Sequence, residues 1–128
     1  MIVDSSALVA LILKQPGWQA LVTKLHASEL TGIGTPTLAE TAIVLTAKLR
    51  MNVKPLLSHV LQEFVITPIP FGEEHWKASL LAYERFGKGR HRASLNFGDC
   101  MCYATAKLAR QTLLFVGEDF AHTDIEPA

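Results

Sequence analysis

A chain of 128 residues, 49% of them hydrophobic, is large enough for one domain with one core and too apolar for a disordered segment. Twelve basic and twelve acidic side chains cancel to a formal net charge of zero, which excludes a general nucleic-acid coat protein but leaves room for acids and bases sorted into separate places. Cys100 and Cys102 are the only cysteines; two residues apart on a helix they point to different faces, so they read as unbridged thiols in a reducing compartment, and no second Cys/His pair offers zinc spacing.

In chain order, Met1 to Val3 is a short apolar strand. Asp4-Ser5-Ser6 offers three helix caps, and Ala7, Leu8, Leu11 and Ile12 fall at helical spacing, so a helix follows at once. The segment has no basic leader and its apolar run stops at Lys14. No run reaches the roughly 18 residues of a membrane helix, so a soluble, cytoplasmic protein is expected. Pro16-Gly17 breaks the helix, and Trp18, Leu21, Val22 and Leu25 share a face of the next. Leu30 to Gly34 reads as a second strand. Thr35-Pro36 opens a helix whose buried side is expected at Leu38, Ala42, Leu45 and Leu49. Asn52 caps a helix with Leu56, Leu57, Val60 and Leu61 apolar. Phe64 to Ile69 is a third strand, with Pro68 and Pro70 at its end. Glu73 to Phe86 is helical, and its Trp76, Leu80 and Tyr83 stripe is assigned to the core. A loop from Gly87 to Ser94, a helix from Phe97 to Arg110 and a strand from Leu113 to Val116 follow. After a turn from Gly117 to Phe120, Thr123 to Ile125 reads as a short last strand. Short strands alternating with helices predict a single α/β domain over residues 1–128, a parallel sheet with helices on both faces.

Four acids punctuate this frame. In the stretch L-N-F-G-D-C-M, Asn96 is a good helix cap and Asp99 follows three residues on, where an acid complements the helix dipole. Asp99 also stands beside the one concentrated basic segment, which suits a metal ligand next to a phosphate-binding loop. Ligands of open parallel sheets bind beyond the carboxyl ends of the strands. Asp4 ends the first strand, Glu40 lies on the helix after the second, Asp99 opens the helix before the fourth, and Asp119 follows the fourth. Each has a local explanation: a cap for Asp4, a Thr37-x-x-Glu40 capping box, a turn for Asp119. Taken together, they should converge on one edge of the sheet. Crowded carboxylates repel, and an all-oxygen, carboxylate-rich site suits Mg²⁺ or Mn²⁺. Ser6 and Asn96 either cap helices or support the acids by hydrogen bonds. The loop G-K-G-R-H-R-A-S supplies Lys88, Arg90 and Arg92, either as a solvated surface loop or as contacts to substrate phosphates. Two other classes remain open: a receiver- or haloacid-dehalogenase-like phosphotransfer domain, and a binding module that keeps the fold without turnover. Against the first, Asp4 is followed by Ser5-Ser6 instead of a second acid, and Val116 stands where a late lysine would be wanted.

The segments M-I-V-D-S-S-A, T-P-T-L-A-E-T-A, G-K-G-R-H-R-A-S-L-N-F-G-D-C and L-L-F-V-G-E-D-F-A-H-T-D-I, in this order, resemble the PIN-domain ribonuclease toxins of the VapC type over nearly the whole chain. The resemblance implies a PIN-like fold and a Mg²⁺-dependent endoribonuclease. Its site acids fall on Asp4, Glu40, Asp99 and Asp119, with Asp4 and Asp99 holding the metal most directly. It further implies an RNA substrate, a homodimer and a small VapB-type antitoxin that neutralises the toxin in a larger assembly. The chain departs from the family pattern at Val116, where relatives often carry Lys, and at Arg92, where they often carry Pro.

Overall fold

The computed structural model describes residues 1–128. Its strands are β1 (Ile2–Val3), β2 (Thr31–Gly34), β3 (Ile66–Ile69) and β4 (Leu113–Leu114), all parallel, in the order β3-β2-β1-β4. Its helices are α1 (Ser5–Ile12), α2 (Trp18–Ala27), α3 (Thr35–Leu49), α4 (Lys54–Glu63), α5 (Glu73–Phe86) and α6 (Phe97–Ala109).

Strand alternation divides the core in two. Met1, Val3, Ile33, Ile66 and Leu114 point to one face and pack with Leu8 and Leu11 of α1, Leu21 and Leu25 of α2 and Val60 of α4. Ile2 and Leu113 point to the other and pack with Ala82 and Phe86 of α5 and Cys100, Cys102, Tyr103 and Ala106 of α6. A third cluster, Val9, Leu45, Val53 and Leu57, ties α3 to α1 and α4. Pro68 lies in β3, an edge strand, where a residue without an N–H is tolerated.

The topology positions the site. From β1 the chain steps through β2 to β3 in one direction, then returns across the sheet to place β4 on the other side of β1. Right-handed crossovers therefore put the connections before and after the reversal on opposite faces. The crevice between the diverging connections opens at the carboxyl ends of β1 and β4, the usual ligand position in such sheets. Gly34, at the β2–α3 junction, has Thr105 of α6 against it; a Cβ there would lie 2.7 Å from Thr105 Oγ1. Glycine thus lets α3 approach α6 beside the crevice.

Five expectations need correction. β4 ends at Leu114, because the Val116 N–H donates to Ser6 Oγ (3.0 Å) instead of a neighbouring strand. Residues 123–125 are not a strand; the chain makes a 3₁₀ turn at Phe120–His122 and pairs only at Pro127, beside Leu113. The buried side of α3 is Thr37, Thr41 and Leu45, with Leu49 36% exposed. Thr41 is tolerated there because its hydroxyl donates to the Thr37 carbonyl (2.8 Å), one turn back. Trp76, Leu80 and Tyr83 are about half exposed, and α5 buries Ala82 and Phe86 instead. A helix packed on one neighbour hides one narrow stripe, and Ala82, with no bulk, sets the line of approach. At α4, Val53 holds the cap position, while Asn52 just before it accepts the Lys54 N–H at 3.1 Å.

Candidate active site

Asp4 leaves β1 with its backbone N–H still bonded to the Leu114 carbonyl (2.9 Å), then caps α1. Its Oδ2 accepts from Ser6 N (3.0 Å) and Ser6 Oγ (2.6 Å). Ser6 Oγ in turn accepts from Val116 N at 3.0 Å. One hydroxyl thus ties the acid at the end of β1 to the chain leaving β4. Asp4 is 4% exposed, and its Oδ1 is buried with no hydrogen-bond partner. Beside Ser6, only the Cys102 thiol lies against the Asp4 carboxylate as a side-chain donor, so the buried oxygen has no N–H or O–H partner, a state that a bound cation would relieve.

Glu40 arrives from the second turn of α3. The Thr37-x-x-Glu40 capping box does not form: Gly34 is the cap, and Thr37 lies buried inside the helix. Glu40 Oε1 instead accepts from Ser5 Oγ at 2.7 Å. Its carboxylate lies so close over Gly98 of α6 that a Cβ there would strike it.

At the start of α6, Asn96 and Asp99 satisfy each other's backbone. Asn96 Oδ1 accepts from Asp99 N (2.9 Å), and Asp99 Oδ2 accepts from Asn96 N (3.1 Å). Capping is therefore real, and it coexists with the acid cluster. Burial pushes the Asp99 carboxyl up to about 6; the Asn96 N–H opposes this, and the negative charges of Asp4, Asp119 and Glu40 add to it. Asp119 is exposed, precedes the 3₁₀ turn and makes no capping bond.

The four acids thus share one electrostatic neighbourhood at one edge of the sheet. No three His, Cys, Asp or Glu side chains stand close enough together to hold a metal ion as they are placed. The donor set nonetheless fits a hard divalent cation. It is all oxygen, it includes an unpartnered buried carboxylate atom, and its charges repel. The two thiols nearby do not suit that role. Burial, then the charge of Asp99, pushes Cys100 up to about 11; burial, then Asp4, pushes Cys102 well above the ordinary thiol range. Both are free and buried.

The basic loop is closed at its neck by Lys88 N donating to Leu95 O and Leu95 N donating to Phe86 O, both at 2.9 Å. It therefore stands directly before Asn96 and displays Lys88, Arg90 and Arg92 to solvent. None of the three touches the acids or forms an ion pair; the ion pairs are Lys77–Glu73, Arg85–Asp124 and Lys107–Asp124. Arg90 turns back, its Nε donating to Glu84 O (3.3 Å) and its guanidinium lying 5.5 Å from the Tyr83 ring centre. Lys88 lines a cavity of about 710 Å³ with Trp76, Leu80, Tyr83, Phe97 and Met101.

Three residues at the site were not among its candidates in the sequence: Ser5, Gly98 and Cys102. Ser5 was visible as one of a serine pair, but its partner is a glutamate on a distant helix. Gly98 and Cys102 carry no local signal, because what matters is which side chain from α3 or β1 lies against them.

Residues 1–126 match the family described as PIN domain. Ribonuclease VapC36 of Mycobacterium tuberculosis is 44% identical over 98% of this chain and 91% of its own length. Among solved structures, the chain resembles VapC20 of Mycobacterium tuberculosis, described as a Sarcin-Ricin loop cleaving toxin (TM-score 0.73, 15% identity, 98% of each chain). It also resembles a chain of a toxin-antitoxin complex from Klebsiella pneumoniae (TM-score 0.69, 17% identity, covering 96% of this chain and 92% of that one). At such low identity the two structures speak for the fold, and they agree with the parallel sheet described above. The full-length family match and the 44% relative together settle descent: the chain belongs to the PIN-domain family, in its VapC branch.

Proposed function

We propose that this protein is a divalent-metal-dependent endoribonuclease and the toxin of a toxin–antitoxin pair. The observation that carries the reading is the buried, unpartnered Oδ1 of Asp4 in the switch-point crevice, in the same electrostatic field as Glu40, Asp99 and Asp119. The relatives' description as ribonucleases supports the choice of RNA. Asp4 and Asp99 would hold Mg²⁺ or Mn²⁺, and Glu40 and Asp119 would complete the site. A cation bound there lowers the pKa of water and stabilises charge on the phosphate and the leaving oxygen. The chain's own contribution is to fix the acids. Ser6 holds Asp4, the Asn96 cap holds Asp99, and Asp119, free of capping bonds, faces the incoming RNA. Lys88, Arg90 and Arg92 meet the phosphates on either side of the cut. No covalent protein nucleophile is required.

The same chemistry suits inhibition. An antitoxin arginine entering the acid cluster would pair bidentately with its carboxylates. The half-exposed stripe of α5 with Phe97 is a face a second copy would match with its own, giving a homodimer. Unbridged thiols and the absence of any helix long and apolar enough to cross a membrane fit a cytoplasmic setting.

The test is cleavage of a single-stranded RNA with Mg²⁺, with Mn²⁺ and with excess EDTA. Asp4→Asn and Asp99→Asn should each lower the rate by roughly two orders of magnitude or more while circular dichroism is unchanged. Undiminished cleavage in EDTA would overturn the reading, and turnover by neither protein nor variants under any metal would leave a binding module.

A further inference from the structure

Glu40 differs from the other three acids in how it reaches the crevice. Asp4, Asp99 and Asp119 sit at the ends of elements, where the backbone aims them. Glu40 lies within α3 and comes to the site only by the reach of a flexible side chain. Two features from other elements restrain it. Ser5 Oγ donates to its Oε1 at 2.7 Å. Gly98 leaves open the space its carboxylate fills, which any Cβ would occupy.

Neither feature is explained by local structure. Ser5 is the first residue of α1, but the cap of that helix is Asp4, which accepts from Ser6. The Ser5 hydroxyl is therefore not needed to start the helix. Consecutive hydroxyls serve two different acids: Ser6 holds Asp4 and Ser5 holds Glu40. Gly98 lies inside α6, where glycine weakens a helix relative to alanine. Its use there is the close approach of Glu40.

We infer that Ser5 and Gly98 are positioning residues for Glu40: the hydroxyl orients the carboxylate, the missing Cβ admits it, and together they set the affinity of the acid cluster for a divalent cation. This rests on the reading of Glu40 as part of a metal site. Partners that orient a ligand in this way typically change metal affinity by about 10- to 100-fold when removed.

The experiment is calorimetric titration of the full chain with Mn²⁺, without RNA, beside thermal melts in EDTA. Ser5→Ala should weaken Mn²⁺ binding on the order of tenfold, with a melting temperature in EDTA within about 4 °C of the parent. Ser5→Thr keeps the hydroxyl and should restore binding. Gly98→Ala should weaken binding comparably while leaving Ser5 intact, and its melt should be unchanged or higher because alanine favours the helix. In a Glu40→Gln background, Ser5→Ala should change binding no further, since its effect passes through Glu40. If Glu40→Gln weakens Mn²⁺ binding but Ser5→Ala and Gly98→Ala bind as the parent does, the inference is wrong and the metal site stands. If Glu40→Gln itself binds Mn²⁺ and cleaves RNA as the parent does, the functional reading of Glu40 fails and takes this one with it. Should Ser5→Ala fail to fold, Gly98→Ala decides alone: parent-like binding overturns the inference.

Discussion

At the scale of single residues, Asp99 caps its helix and at the same time lies in the field of three other acids. Its Oδ2 completes the capping box with Asn96, yet its carboxyl is pushed up to about 6 by burial and by Asp4, Asp119 and Glu40. The folded protein therefore holds that proton more tightly than the unfolded chain, whose value is 3.8. Metal-free stability should fall as pH rises through the window between these values, and the full penalty is present above about 6. Asp99→Asn keeps an oxygen that accepts at the cap but removes the charge. At pH 7 in EDTA it should melt as high as the parent or higher, by no more than about 1 kcal/mol once solvent screening is allowed for. The parent should gain about 2.7 kcal/mol at a hundredfold excess of Mg²⁺ over Kd, and the variant should lose most of that gain. A variant that melts lower in EDTA yet gains as much from Mg²⁺ would reduce Asp99 to a cap.

At the scale of elements, the loop between α5 and α6 is a closed unit. Its neck bonds fix where Lys88, Arg90 and Arg92 emerge, and the absence of ion pairs leaves their charge available. Arg90 is partly committed to Glu84 and Tyr83, so Lys88, on the cavity wall beside Asn96, is the better probe. Lys88→Ala should weaken binding of single-stranded RNA and reduce the slope of log K against log salt by about 0.7, one contact's worth. A filter-binding series across salt concentrations measures this, and an unchanged slope would make the loop a surface feature without a role in RNA binding.

At the scale of the whole molecule, the two faces of the sheet are unequally covered. One is closed by three helices around an apolar core; on the other, α5 leaves Trp76, Leu80, Leu81 and Tyr83 to solvent, next to Phe97 at 81% exposure. Trp76, Leu80, Tyr83 and Phe97 line one open cavity together, a surface that a second copy of the chain could cover. It also adjoins the acid cluster, because Phe97 and Asp99 share the first turn of α6. Sedimentation at micromolar concentration should find two chains for the parent and one for Leu80→Glu, with little change in secondary structure. A monomeric parent would return this face to an open groove.

What the sequence determined by itself were the quantities that depend on near neighbours. Helical spacing, Pro36 and Asn96 predict where helices run, and alternating short strands and helices predict a covered parallel sheet. The acids at strand ends were visible because topology alone sends those ends to one edge. What only the tertiary structure decided depends on residues far apart in the chain. Whether an apolar stripe is core or surface is set by how many helices flank it, and α5 has too few to bury Trp76 and Tyr83. Glu40 does not cap α3, whose cap is Gly34; it accepts instead from Ser5 and lies over Gly98, neither of which is its sequence neighbour. Short-range periodicity carries the first kind of information, and packing between elements carries the second.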